Sequence, residues 1–112
     1  METASPVVKL IVLRTSRLIE LKAFYERLGM SFVEERHGEG PLHYSTMLGE
    51  VVMELYPVAP DAVEAEPIRL GFGVSDTADA TFVTRLRATA NGLRAVVRDL
   101  DGRAVELYQS GN

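Results

Sequence analysis

The chain has 112 residues, 46% hydrophobic and 25% charged, which suits one domain with a proper core. Its formal net charge of -4 argues against nucleic acid as a partner. The absence of cysteine excludes disulfides, thiolate metal sites and cysteine nucleophiles. The apolar run Val7 to Leu13 is interrupted by Lys9, is too short to span a bilayer and has no small-residue cleavage site after it. The expectation is a cytoplasmic protein with no membrane partner.

Val7 to Arg14 is dense in Val, Leu and Ile and reads as a buried strand. Thr15 and Ser16 offer side-chain oxygens to cap a helix over about 17–28. Leu18, Leu21, Tyr25 and Leu28 fall on one stripe of it, widened by Phe24, and Gly29 is placed to end it. Met30 to Glu35 reads as a second strand, and the Gly- and Pro-punctuated segment from Arg36 to Pro41 as a loop. Leu42 to Leu48 and Val51 to Tyr56 form a hairpin around Gly49-Glu50. That turn pairs Leu48 with Val51, Met47 with Val52, Ser45 with Glu54 and His43 with Tyr56. His43, Ser45 and Met47 then share the face of Glu54.

Pro57 to Pro67, rich in Pro, Ala, Asp and Glu, reads as a linker. Ile68 to Val74 is a strand, about 77–90 a second helix, and Leu93 to Arg98 with Arg103 to Tyr108 a hairpin around Asp99-Leu100-Asp101-Gly102. The strand Val51-Val52-Met53-Glu54-Leu55-Tyr56 has a counterpart in Ala104-Val105-Glu106-Leu107-Tyr108. Strand alternation puts Met53, Leu55, Val105 and Leu107 on a core face and each Glu with its Tyr on the other. One such strand alone is an ordinary amphipathic strand; two matched copies point to a paired site. Each half thus reads strand, helix, more strands, ending in Glu-Leu-Tyr. The interval from Phe82 to Glu106 is shorter than that from Phe24 to Glu54, so the second half is expected to lack one strand.

The segment AFYERLGM after the first strand and RDLDGRAVELY at the end resemble the glyoxalase/bleomycin-resistance/extradiol-dioxygenase superfamily, the vicinal oxygen chelate proteins. Phe24-Tyr25 followed by Leu28-Gly29 matches the helix-end motif. Asp99-Leu100-Asp101-Gly102 with Val105-Glu106-Leu107 matches the last hairpin, with Leu100 where Pro is usual. The resemblance covers nearly the whole chain. It implies a single α+β domain of paired βαβββ modules, about 6–57 and 67–109, forming a curled mixed-sheet cup, the second module short by one strand. It also implies a small-molecule ligand in the cup and a homodimer. Metal-dependent members supply His, Glu, His and Glu from equivalent strands. Those positions fall at Leu10, Glu54, Arg69 (within one residue) and Glu106, so both carboxylates are present and both imidazoles are replaced.

The expected function is therefore a glyoxalase- or bleomycin-resistance-like protein that binds a small oxygenated molecule and sequesters it. The alternative is a lyase, isomerase or dioxygenase-like enzyme acting on a small carbonyl or catechol substrate. Candidate catalytic residues are Glu54, Glu106 and His43, with Glu54 as general base. Arg69, Tyr56, Tyr108, Ser45 and Met47 are candidate ligand contacts. No cofactor is expected, because two carboxylates alone hold zinc or nickel poorly. The alternative is a divalent metal held by Glu54, Glu106 and His43. If the two carboxylates meet, at least one should have a raised pKa. His37 is expected in solvent. Asp99 and Asp101 lack the further ligands of a calcium loop, and Gly71-Phe72-Gly73 lacks the third glycine of a dinucleotide fingerprint.

Overall fold

The computed structural model describes residues 5–59, 68–74, 87–89 and 92–109. The first module comprises strand β1 (Leu10–Thr15), helix α1 (Leu18–Glu26) and strands β2 (Val33–Glu35), β3 (His43–Leu48) and β4 (Val51–Pro57). The second comprises β5 (Arg69–Val74), β6 (Arg87–Thr89), β7 (Gly92–Arg98) and β8 (Ala104–Gln109). The first sheet has the order β1-β4-β3-β2 and the second β5-β8-β7-β6. In each, the strand that opens the module lies parallel to the one that closes it, and the other pairs are antiparallel. The repeat legible in the two Glu-Leu-Tyr segments is thus a repeat of topology. The sheets stay separate among the described residues, and neither closes into a barrel.

Local chemistry accounts for the elements. Leu21, Phe24 and Tyr25 form the buried face of α1, flanked by partly buried Leu18 and Leu28, as the helical spacing requires. Thr15 Oγ1 accepts the Arg17 N–H at 2.9 Å, although no side chain caps the first turn itself. Gly29 ends the helix at φ 107°, a conformation that costs a residue with a Cβ far more. Gly49 at φ 64° makes the β3–β4 turn. The register is as the two-residue loop dictates, with Leu48 opposite Val51, Met47 opposite Val52 and Ser45 opposite Glu54.

Met53, Leu55, Val105 and Leu107 are all buried, in one core with Leu13, Leu21, Phe24, Tyr25, Leu70 and Val97. That core draws on both modules. Polar contacts also cross between them. Tyr25 donates its hydroxyl proton to Asp99 Oδ2 at 2.8 Å, and Arg103 Nη2 donates to the Arg14 carbonyl at 2.7 Å.

Three boundaries differ from the sequence reading. β1 begins at Leu10, and Val7 and Val8 are exposed rather than buried, since the parallel partner β4 starts only at Val51. β2 begins at Val33, three residues later than its apolar pattern suggests; partly buried Met30 and Phe32 pack on the core from the chain leading into it. Residues 87–89, assigned above to the second helix, form β6 opposite β7; the rest of that predicted helix lies outside the described residues. Three strands of the second module have six or seven residues and β6 has three. The expected shortfall of one strand is therefore met by a three-residue edge strand, equivalent in place and length to β2. Helical spacing absorbed those residues because so short an edge strand has no periodicity of its own.

Candidate functional site

The outward face of the first sheet carries Glu54, Tyr56, His43, Ser45 and Met47, the residues that the hairpin register places together. Ser45 lies directly opposite Glu54 and Met47 opposite Val52. His43 is buried and its ring stacks on Tyr56, with centroids 4.1 Å apart and planes 12° from parallel. Tyr56 is thus committed to the imidazole, and burial with the nearby Glu54 and Glu35 charges raises its phenol pKa. No hydrogen bond or ion pair holds the Glu54 carboxylate among the described residues. In the parallel register Val12 lies beside Glu54 and Gly71 beside Glu106, and Leu10 and Arg69 each stand two residues earlier.

The second sheet treats its glutamate differently. Glu106 is buried and forms ion pairs with Arg69 and, at 3.1 Å, with Arg94 Nη2. It also accepts hydrogen bonds from Arg94 Nε at 3.2 Å and from the Tyr108 hydroxyl. That hydroxyl bond and the two guanidiniums hold its carboxyl pKa below the ordinary value, against the opposing effect of burial. Tyr108 in turn is pushed up by the same carboxylate. A Cβ on Gly71 would stand 3.2 Å from the Tyr108 ring, so the glycine gives that ring its place across β5.

Glu54 and Glu106 thus stand in different surroundings, one carboxylate without a bound partner among the described residues and the other engaged by three groups. The groups acting on Glu106 are Tyr108, Arg69 and Arg94, all from its own module. Glu106 does not have the raised pKa expected from mutual repulsion; its shift is downward, first from the Tyr108 hydrogen bond and then from Arg69 and Arg94. The resemblance implies a four-ligand metal site at Leu10, Glu54, Arg69 and Glu106, and these residues do not fit one. A hydrocarbon and a guanidinium offer no lone pair, and Glu106 already spends its oxygens on three donors.

A cavity of about 840 Å³ opens against the first module. Val33, Met47, Val52 and Phe72 give it apolar walls, and Ser45 and Glu54 supply polar groups. Phe72 brings a residue of β5 to this wall, so both modules contribute. Among the sequence-predicted site residues, the structure brings Ser45, Met47 and Glu54 to this cavity. It gathers Arg69, Tyr108 and Glu106 elsewhere and stacks His43 on Tyr56.

Sequence reasoning missed Glu35, Arg94 and Arg103. Glu35 lies directly opposite His43 across the β2–β3 pair. Arg94 lies opposite Tyr108, as the hairpin turn could have shown. Arg103 left no sequence signal beyond its place after the Asp-x-Asp-Gly turn; its side chain is fully buried between Asp99 and Asp101.

No family model matches the chain, and no curated protein matches it in sequence. Solved structures match over nearly its whole length. TnmS3, an antibiotic-binding protein from Streptomyces sp. CB03234, has a TM-score of 0.68 at 18% identity, with 97% of this chain and 99% of that one covered. The oxidase ChaP-H2 has a TM-score of 0.70 at 13% identity, with 97% and 100% covered. A lactoylglutathione lyase from Agrobacterium tumefaciens has a TM-score of 0.59 at 17% identity, with 96% of each chain covered. Identities this low establish a common fold, and chemistry must be argued from the side chains.

Proposed function

We propose that this chain, which has the vicinal oxygen chelate fold, binds a small oxygenated molecule in the cavity against its first module and sequesters it. The carrying observation is that cavity of about 840 Å³, apolar on most sides and bearing the unengaged Glu54 carboxylate next to Ser45. Such a lining suits an apolar or aromatic ligand body held by Val33, Met47, Val52 and Phe72. Glu54 would accept hydrogen bonds from the ligand's hydroxyl groups, with Ser45 donating to a neighbouring oxygen. The fold shared with an antibiotic-binding protein supports this reading. In the second module Glu106 closes its own charge cluster and takes no part in binding.

The test is a titration of the full chain with catechols, α-keto aldehydes and polycyclic phenolic antibiotics, followed by amide NMR shifts. Binding should move Ser45, Met47, Glu54 and Phe72 together. Glu54→Gln should weaken it roughly 10- to 150-fold, the loss of one charge-assisted hydrogen bond of ~1.5–3 kcal/mol. Shifts confined to the second module, or affinity indifferent to Glu54, would reject the site.

The uncommitted Glu54 also favours a second reading, in which it acts as general base on a C–H beside a carbonyl of the bound molecule. Turnover of a carbonyl ligand that is abolished in Glu54→Gln, with binding retained, distinguishes catalysis from sequestration. Both readings include a second copy of the chain as partner. β1 and β5 are sheet edges, and Leu10 and Val12 on β1 are exposed apolar residues. Sheet edges of this kind are ordinarily covered. Light scattering at micromolar concentration should give a dimer.

A further inference from the structure

The segment joining β2 to β3 gathers the only two histidines of the sequence around one carboxylate. Glu35 ends β2 and faces His43 across the strand pair. His37 follows two residues later, and the loop turns back through Gly38 at φ 59° and a Gly40 N–H to His37 carbonyl bond of 2.9 Å. The His37 and His43 rings come within 5.1 Å, and the ligand atoms of Glu35, His37 and His43 all lie within 4.8 Å of one another.

The state of His43 gives this cluster its meaning. Its Nδ1 lies 3.1 Å from the Pro41 carbonyl, which can only accept, so Nδ1 carries the proton. In the neutral ring Nε2 then carries the lone pair. The residue is 1% exposed, and Nε2 is a buried polar atom without a hydrogen-bond partner. What faces it is a second acceptor, Glu35 Oε1, at 3.4 Å. A buried acceptor without a partner, beside a partly exposed carboxylate oxygen, is unfavourable unless something electron-poor lies between them.

We propose that Glu35, His37 and His43 form a binding site for a divalent transition metal of the zinc class, separate from the positions that the fold's metal-dependent members use. Histidine ligands whose other nitrogen donates to a backbone carbonyl are the rule in metal sites, because that bond fixes the tautomer and the ring. The Pro41 carbonyl does this here, and the stacked Tyr56 fixes the plane of the ring. Bonds of ~2.0–2.1 Å to a tetrahedral ion separate neighbouring ligand atoms by about 3.3–3.5 Å. Glu35 and His43 already stand at 3.4 Å. His37 Nε2, at 3.8 Å from the same Glu35 oxygen, needs only a small inward movement, and its side chain is 73% exposed on a turn. Two imidazoles and one carboxylate leave a fourth position open. Glu35 and His37 both line the 840 Å³ cavity, so a bound ion would stand at its rim. This inference is independent of the small-molecule reading above.

The experiment is zinc titration of the untagged full chain against a chromophoric chelator, with cobalt substitution to report coordination. One ion per chain is expected, with the intense visible absorption of tetrahedral cobalt. His37→Ala and Glu35→Gln, both at partly or largely exposed positions that leave the core intact, should each weaken binding at least tenfold. Glu39→Gln in the same loop should leave it unchanged. His43 Nε2 should show the largest imidazole nitrogen shift on zinc addition. The proposal is overturned if zinc fails to bind at a hundredfold excess over protein, or binds equally to His37→Ala and Glu35→Gln. It is equally overturned if His43 Nε2 carries a proton that it donates to Glu35 at pH 7 and keeps it in the presence of zinc.

Discussion

Replacing Arg103 by Met tests the junction between the modules. The Arg103 and Asp99 side chains are fully buried, and the guanidinium donates to Asp99 Oδ2 at 3.1 Å, Asp101 Oδ2 at 3.2 Å and the Arg14 carbonyl at 2.7 Å. Asp99 is also bound by the Tyr25 hydroxyl and by the backbone N–H groups of Asp101 and Arg103. Met keeps most of the volume and removes the charge, leaving Asp99 buried beside one hydroxyl and two amides. Breaking a buried pair in this way costs about 3–5 kcal/mol, a large share of the ~5–15 kcal/mol typical of a domain. At this chain length that lowers Tm by roughly 10–20 °C. Urea unfolding followed by circular dichroism measures it. Asp99→Asn keeps an oxygen for the two amides and removes the stranded charge, so the double variant Arg103→Met/Asp99→Asn should recover part of the loss. An Arg103→Met cost under ~1 kcal/mol, the range of an exposed ion pair, or a double variant that simply sums the two losses, would falsify the buried-network reasoning.

Four further outcomes follow from named contacts and burial. Glu106 has a lowered folded pKa, so its contribution to stability is complete above the unfolded value of 4.5 and is lost as pH falls through the folded one. Acid unfolding of Glu106→Gln should show a shallower slope below that pH than the parent. Tyr25 has a strongly raised pKa, first from burial and then from Asp99, so its contribution is complete below pH 10 and declines above it. The decline is at most ~1.4 kcal/mol per pH unit, and Tyr25→Phe should abolish that alkaline slope while costing about 1–2 kcal/mol at pH 7. Met53→Ala, at a site with no exposure, should destabilise by roughly 2–5 kcal/mol. Met47→Ala, on the exposed face of the neighbouring strand, should change stability by less than ~0.5 kcal/mol in chemical denaturation.

The fold was legible wherever a short-range rule governs a long-range pairing. A two-residue turn at Gly49-Glu50 sets one register, and that register places Ser45 beside Glu54 and Met47 beside Val52. The stripe of Leu21, Phe24 and Tyr25 and the alternation of Met53 with Leu55 report burial directly, because solvent exposure follows the period of the backbone. Legibility failed where contacts depend on loops or on the meeting of modules. His37 looked solvated because it lies in a glycine-rich loop, and it is exposed; its distance to His43 is set by the path of the turn, which periodicity does not encode. The Arg94 contact with Glu106 was readable in principle, since the β7–β8 hairpin places Arg94 opposite Tyr108, two residues along the same face.

The repeated Glu-Leu-Tyr then carries a lesson about pairs of similar residues. Glu54 and Glu106 occupy equivalent strands in equivalent orders, and the matched sequence suggested one shared site. What differs is the cross-strand neighbourhood. Leu10 and Arg69 each stand two residues before the position beside the glutamate, so one module offers a hydrocarbon where the other offers a guanidinium. Across the hairpin, Glu54 faces Ser45, and Glu106 faces Val96 with Arg94 two residues away. The second carboxylate is neutralised by its own sheet, and its Tyr donates a hydrogen bond to it. The first has no such partners, and its Tyr stacks on His43 instead. Duplicated backbone topology therefore leaves one charged face closed and the other open, which is why the binding reading rests on Glu54 alone.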